Sequence, residues 1–158
     1  MAKSLFDSVI TRFGIIQVGI NIAIIIIQSM HLVNKHGASC LLSDVWTSAM
    51  YCNISYGVSA GGIGIYLLIL ILQIKSTVTT DVTRGVLITF LAVVYGITAT
   101  VLTWKSQLAN NIELPEEQWR TAIWALYWSD VLVTLIMSGV NNYYSHNNQM
   151  ESESNIPL

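Results

Sequence analysis

The sequence predicts an all-α integral membrane protein, a four-helix bundle whose successive helices are antiparallel neighbours. Three observations carry that expectation. Of the 158 residues, 53% are apolar and only 10% are charged, where a soluble domain carries about a quarter charged residues. Four largely apolar stretches recur along the chain, each close to the ~20 residues that cross a ~30 Å hydrocarbon core. The segments between them are too short for domains of their own, so each span must turn straight back through the bilayer.

The elements follow in order. Residues 1–12 form a short N-terminus in which Leu5, Phe6, Val9 and Ile10 give a one-faced apolar pattern suited to a membrane interface. Phe13–Val33 contains no charge and includes the run Ile24–Ile27, which makes it the first span. Met50–Ile74 is equally free of charge. Its first half is rich in Gly, Ser and Tyr and its second in Leu and Ile, so it should start inside protein and finish against lipid. Gly85–Trp104, between Arg84 and Lys105, is the third span, and Thr121–Val140, between Arg120 and Asn141, is the fourth. After Tyr144 the stretch SHNNQMESESNIPL is polar and unpatterned, which predicts a disordered tail over 145–158.

Lys and Arg near span ends bias orientation. Lys3, Arg12, Lys75 and Arg84 lie on the side of the termini and Lys35, Lys105 and Arg120 on the other. The balance favours both termini in the cytosol. No run of Lys or Arg offers a surface for nucleic acid or a polybasic lipid clamp. The histidines His31, His36 and His146 complete no metal set with the cysteines, and no cofactor is expected.

Residues three, four and seven apart share a helix face, which defines one polar or small stripe per span. Span one offers Gln17, Asn21 and Gln28 with Gly14 beside them. Span two offers Asn53, Gly57, Gly61 and Gly64, including a Gly-xxx-Gly pair that lets backbones approach in lipid. Span three offers Thr89, Gly96, Thr100 and Thr103, and span four Tyr127, Asp130, Thr134 and Asn141. The expectation is a packing seam, with an oligomer through Gly57 and Gly61 as a second use. Asp130 is the only acidic or basic side chain of the Asp, Glu, Lys or Arg kind deep in any span. An unpaired Asp there costs roughly 2.5–3.5 kcal/mol, so amides and hydroxyls should surround it; Asn21, Gln28 and Tyr95 are the candidates at matching depth. Its role is either an interhelical hydrogen bond or a proton or ligand site.

Trp46, Tyr51, Trp104 and Trp119 fall at span ends, where amphipathic rings sit at headgroup level, and Trp124 and Trp128 form a ridge one turn apart. Cys40 in the first loop and Cys52 at the start of span two leave two readings open, a disulfide that pins the loop to its helix or two free thiols. Asn53-Ile-Ser55 matches a glycosylation sequon but lies too near the membrane to be reached.

The opening Arg12…Gln17, the MYCNISYG start of span two and the fourth-span sequence AIWALYWSDVLVTLIMSGVNNYY together resemble the MARVEL-type tetraspan proteins, including their fungal non-classical-export relatives, over most of residues 10–144. That resemblance implies a protein that organises plasma-membrane domains or vesicle trafficking, with membrane lipids such as sterol or sphingolipid, or further copies of itself, as partners. A small accessory subunit of a larger transporter or synthase complex is the alternative. A channel is disfavoured by the single carboxylate, and an enzyme by the lack of any nucleophile–base pair or metal set at one depth.

Overall fold

Buried positions recur at alternating spacings of three and four residues in every helix, the pattern of helices that pack side by side over several turns. The structure, a computed structural model, describes residues 2–75 and 78–154, with side chains over 9–73 and 81–144. Four helices make up the fold: α1 (Ala2–Ile27), α2 (Met50–Lys75), α3 (Val78–Asn111) and α4 (Glu117–Ser154), with a π-type turn over Gln28–Leu32 closing α1. Each contains a stretch long and apolar enough to cross a membrane, Val9–Leu32, Met50–Gln73, Asp81–Asn111 and Glu117–Tyr144. The chain is thus a multi-pass membrane protein. The helices close a ring in which α1 packs on α2, α2 on α3, α3 on α4 and α4 back on α1.

The seam is built from Ile10, Gly14, Gln17, Asn21, Ile24 and Gln28 on α1 and from Arg120, Ile123, Tyr127, Asp130, Thr134, Met137 and Asn141 on α4. On α2 it is Cys52, Ser55, Ser59, Gly62, Tyr66 and Ile69, and on α3 Arg84, Ile88, Leu91, Tyr95, Ala99, Leu102 and Ser106. Two expected stripes therefore need correction. Asn53, Gly57, Gly61 and Gly64 face outward, because the helix buries the neighbouring small stripe, in which Ser55, Ser59 and Tyr66 find hydroxyl partners across the bundle. Likewise Thr89 and Thr100 point outward and return their hydroxyls to the carbonyls of Gly85 and Gly96 one turn back, which satisfies a threonine in lipid without any neighbour.

The helices outrun the apolar spans. α1 starts at Ala2 with no break at Arg12, and only residues 76–77 separate α2 from α3, so most of the expected second loop is helical. α4 continues through Ser154, where composition predicts a disordered tail. Charge marks the edge of the hydrocarbon, not the end of a helix: a helix already formed extends at little cost until Gly or Pro interrupts it, and none stands between Gly139 and Pro157. The Leu5 and Phe6 side chains and residues 155–158 lie outside the described residues.

At the end of the bundle away from the termini, the first and third loops lock into a cap. Cys40 and Cys52 are joined by a disulfide, and the loop is folded back by Leu41 N–H to the Leu32 carbonyl and by Ser39 and Cys40 N–H to the Trp46 carbonyl. Arg120 is buried at its centre. Its Nε and Nη2 donate to Asn110 Oδ1 at 2.9 and 2.6 Å, Nη2 also to the Leu114 carbonyl, and Nη1 to the carbonyls of Leu41 and Pro115. All five guanidinium hydrogens are used. His31 stacks on Trp119 with centroids 3.9 Å apart, and Lys105 pairs with Asp44 at 3.1 Å while sitting over the Trp104 ring.

Candidate functional site

Asn21, Gly62, Tyr95 and Asp130 each fall near the midpoint of their span, and the bundle brings all four elements together there. Hydrocarbon offers no water to satisfy a polar group, so each must find a partner inside the protein. Gln17 Nε2 donates to the Asp130 carbonyl at 3.1 Å and to Thr134 Oγ1 at 3.2 Å. Asn21 Nδ2 donates to the Gln17 carbonyl at 2.9 Å and, across the bundle, to the Tyr95 hydroxyl at 3.1 Å. Thr134 returns its hydroxyl to the Asp130 carbonyl and accepts from Tyr66. Tyr127 donates to the Ser55 carbonyl at 2.8 Å and lies within 3.0 Å of the hydroxyls of both Ser55 and Ser59.

Gly62 is required at this depth. A Cβ there would overlap the Tyr95 hydroxyl and press on its ring carbon Cζ, so the missing side chain is what admits the Tyr95 ring between α2 and α1. Asp130 itself is fully buried. Asn21 lies beside its carboxyl, and around it stand Tyr66 of α2, Tyr95 of α3 and Tyr127, one turn earlier on α4 itself. Yet neither carboxyl oxygen is in hydrogen-bond geometry with any partner, and Gln17 Oε1 and Asn21 Oδ1 are in the same condition.

Among the expected site residues, Gln17, Asn21, Tyr95 and Asp130 meet in this node. Gln28 does not: it sits about two turns nearer the cap, where Nε2 donates to the Cys52 carbonyl at 2.7 Å. The outward Gly57 and Gly61 line a shallow apolar groove of about 200 Å³ with Ile65, Phe90 and Val94. Sequence reasoning missed Ser55, Ser59, Gly62 and Tyr66. They continue the buried repeat 52, 55, 59, 62, 66 and 69, which hydropathy alone does not separate from the neighbouring stripe of Asn53, Gly57, Gly61 and Gly64. Among the described residues no group of three or more His, Cys, Asp or Glu could hold a metal ion. Compared with known proteins, the chain matches no family model, no curated protein and no solved structure.

Proposed function

We propose that the chain is a non-enzymatic tetraspan organiser of membrane domains or trafficking, acting in the plasma membrane or an endomembrane with both termini in the cytosol. The observation that carries this reading is the division of its chemistry. The midspan amides, the carboxyl and the tyrosine hydroxyls turn inward, while the lateral surface is largely apolar and presents the outward Asn53, Gly57, Gly61 and Gly64 stripe. A protein so arranged meets its partners sideways, through lipid or through a second helix. The MARVEL-type resemblance points the same way and adds sterol or sphingolipid as the lipid class.

Fluorescent tagging tests the proposal: the organiser forms lateral clusters that disperse when sterol or sphingolipid is depleted, and an even distribution indifferent to both treatments would defeat it. The same outward stripe also fits a partner helix, which supports the reading as an accessory subunit of a larger transporter or synthase. Purification in mild detergent separates the two. A large stoichiometric partner selects the subunit, and self-oligomers or bound lipid alone select the organiser.

A further inference from the structure

The polar node is short of donors in a way that has a direction. Asp130 Oδ1 and Oδ2, Asn21 Oδ1 and Gln17 Oε1 are four buried acceptors without a partner. The amide hydrogens of Gln17 and Asn21 are already given to the Asp130 carbonyl, Thr134, the Gln17 carbonyl and Tyr95. Thr134 and Tyr127 have likewise given their hydrogens to carbonyls, and Tyr66 gives its own to Thr134. Tyr95, which accepts from Asn21, keeps one hydrogen, and that serves at most one of the four. No Lys, Arg or His side chain faces the carboxyl among the described residues; the titratable groups around it are Tyr66, Tyr95 and Tyr127. Four acceptors in hydrocarbon with one formal negative charge and at most one donor between them call for a positive occupant.

We propose that Asp130, Asn21 and Gln17 form a buried binding site for one monovalent cation at the middle of the membrane, either a proton or an alkali-metal ion. A proton converts the carboxylate to an acid that supplies the node with one more donor; a sodium ion would draw its ligands from the same buried oxygens. Both neutralise the site and tie α1 to α4, so both make the folded bundle depend on cation concentration.

The test follows the melting temperature of the purified full chain in detergent, read by tryptophan fluorescence. Sodium is varied at fixed pH against an organic cation that holds ionic strength constant, and pH is varied at fixed salt. In the sodium arm, stability rises with sodium. In the proton arm, the folded state holds a proton that the unfolded chain releases, so stability falls as pH rises. Either arm is expected to move the melting temperature by about 2–4 °C in the wild type and to be lost in Asp130→Asn, which carries its own donors and no charge. A wild type indifferent to both, or an Asp130→Asn protein that responds as the wild type does, overturns the proposal. Should Asp130→Asn not fold, Asn21→Leu decides, because it removes one acceptor and keeps the carboxyl. A response displaced at least about tenfold in cation concentration supports the site, and an undisplaced response rejects it.

Discussion

Asn21 and Tyr95 join opposite corners of the bundle: the amide of α1 donates to the hydroxyl of α3 at 3.1 Å, at the depth where Gly62 of α2 leaves room for the ring. Neighbouring helices in the ring meet through many side chains, whereas this contact runs across the middle. It sets how closely α1 and α3 approach, and through Gln17 it reaches the backbone of α4.

Gly62 and Tyr95 should therefore be coupled. Gly62→Ala forces the Tyr95 ring to move and is expected to cost about 1–3 kcal/mol, the usual range for overpacking. Tyr95→Phe alone loses one interhelical hydrogen bond, about 0.6 kcal/mol on average in a membrane bundle. In the double mutant the overlap with the hydroxyl is gone, so the combined cost should fall below the sum. Strict additivity in a thermal-unfolding cycle would show that the ring does not occupy this place.

Much of this node could be read from sequence, and the reason is energetic. A carboxylate or an amide deep in hydrocarbon must be turned toward protein, so Gln17, Asn21 and Asp130 identify their own faces, whereas Asn53, near the end of its span, is free to face outward. Gly and Ser do not. Lipid is as apolar as the bundle interior, so hydropathy assigns no direction to α2, and its Gly57 stripe and its Ser55 stripe look equally fit to be buried. The choice falls to partners far away in sequence, Tyr127 above all. Helix ends were obscured for a related reason, since Lys105 and Arg84 report where the hydrocarbon ends while α3 runs past both.

The cap should depend on Arg120 as a fork and not merely as a charge. Lysine has three hydrogens on one nitrogen and cannot span Asn110 and the carbonyls of Leu41, Leu114 and Pro115 together. Arg120→Lys loses at least two of the five bonds and is expected to destabilise the protein by about 3 kcal/mol, at 1.5–3 kcal/mol for each bond to a charged group. Hydrogen exchange should rise at Leu41 and Cys40 while the midspan amides of α2 stay protected. Uniform loss of protection would show instead that the cap and bundle unfold as one unit.

The Cys40–Cys52 bond closes a short loop onto the helix that follows it. Mass spectrometry without reduction should recover the two cysteines in one linked peptide pair. Replacing both by Ser should cost about 2–4 kcal/mol and should loosen the loop before it affects the Asp130 node, which lies several turns away. Recovery of both cysteines as alkylated free thiols from quenched cells would contradict the bond.

The outward glycines give the sharpest separation of folding from lateral function. A Cβ at Gly57, Gly61 or Gly64 meets nothing within 4 Å, so the isolated bundle has no steric reason to reject a side chain there. Leucine also favours the helix over glycine by up to about 1 kcal/mol per residue. Gly57→Leu with Gly61→Leu should therefore leave the melting temperature of the dilute, detergent-solubilised chain unchanged or raised. In the membrane the same pair fills the flat strip where a second backbone could approach, and close Gly-xxx-Gly contacts tolerate no such bulk. Loss of clustering in cells with stability retained would place the lateral contact on this face of α2. Clusters of unaltered size and lipid dependence would move it elsewhere, and a destabilised monomer would show that α2 is rotated so that this stripe is buried.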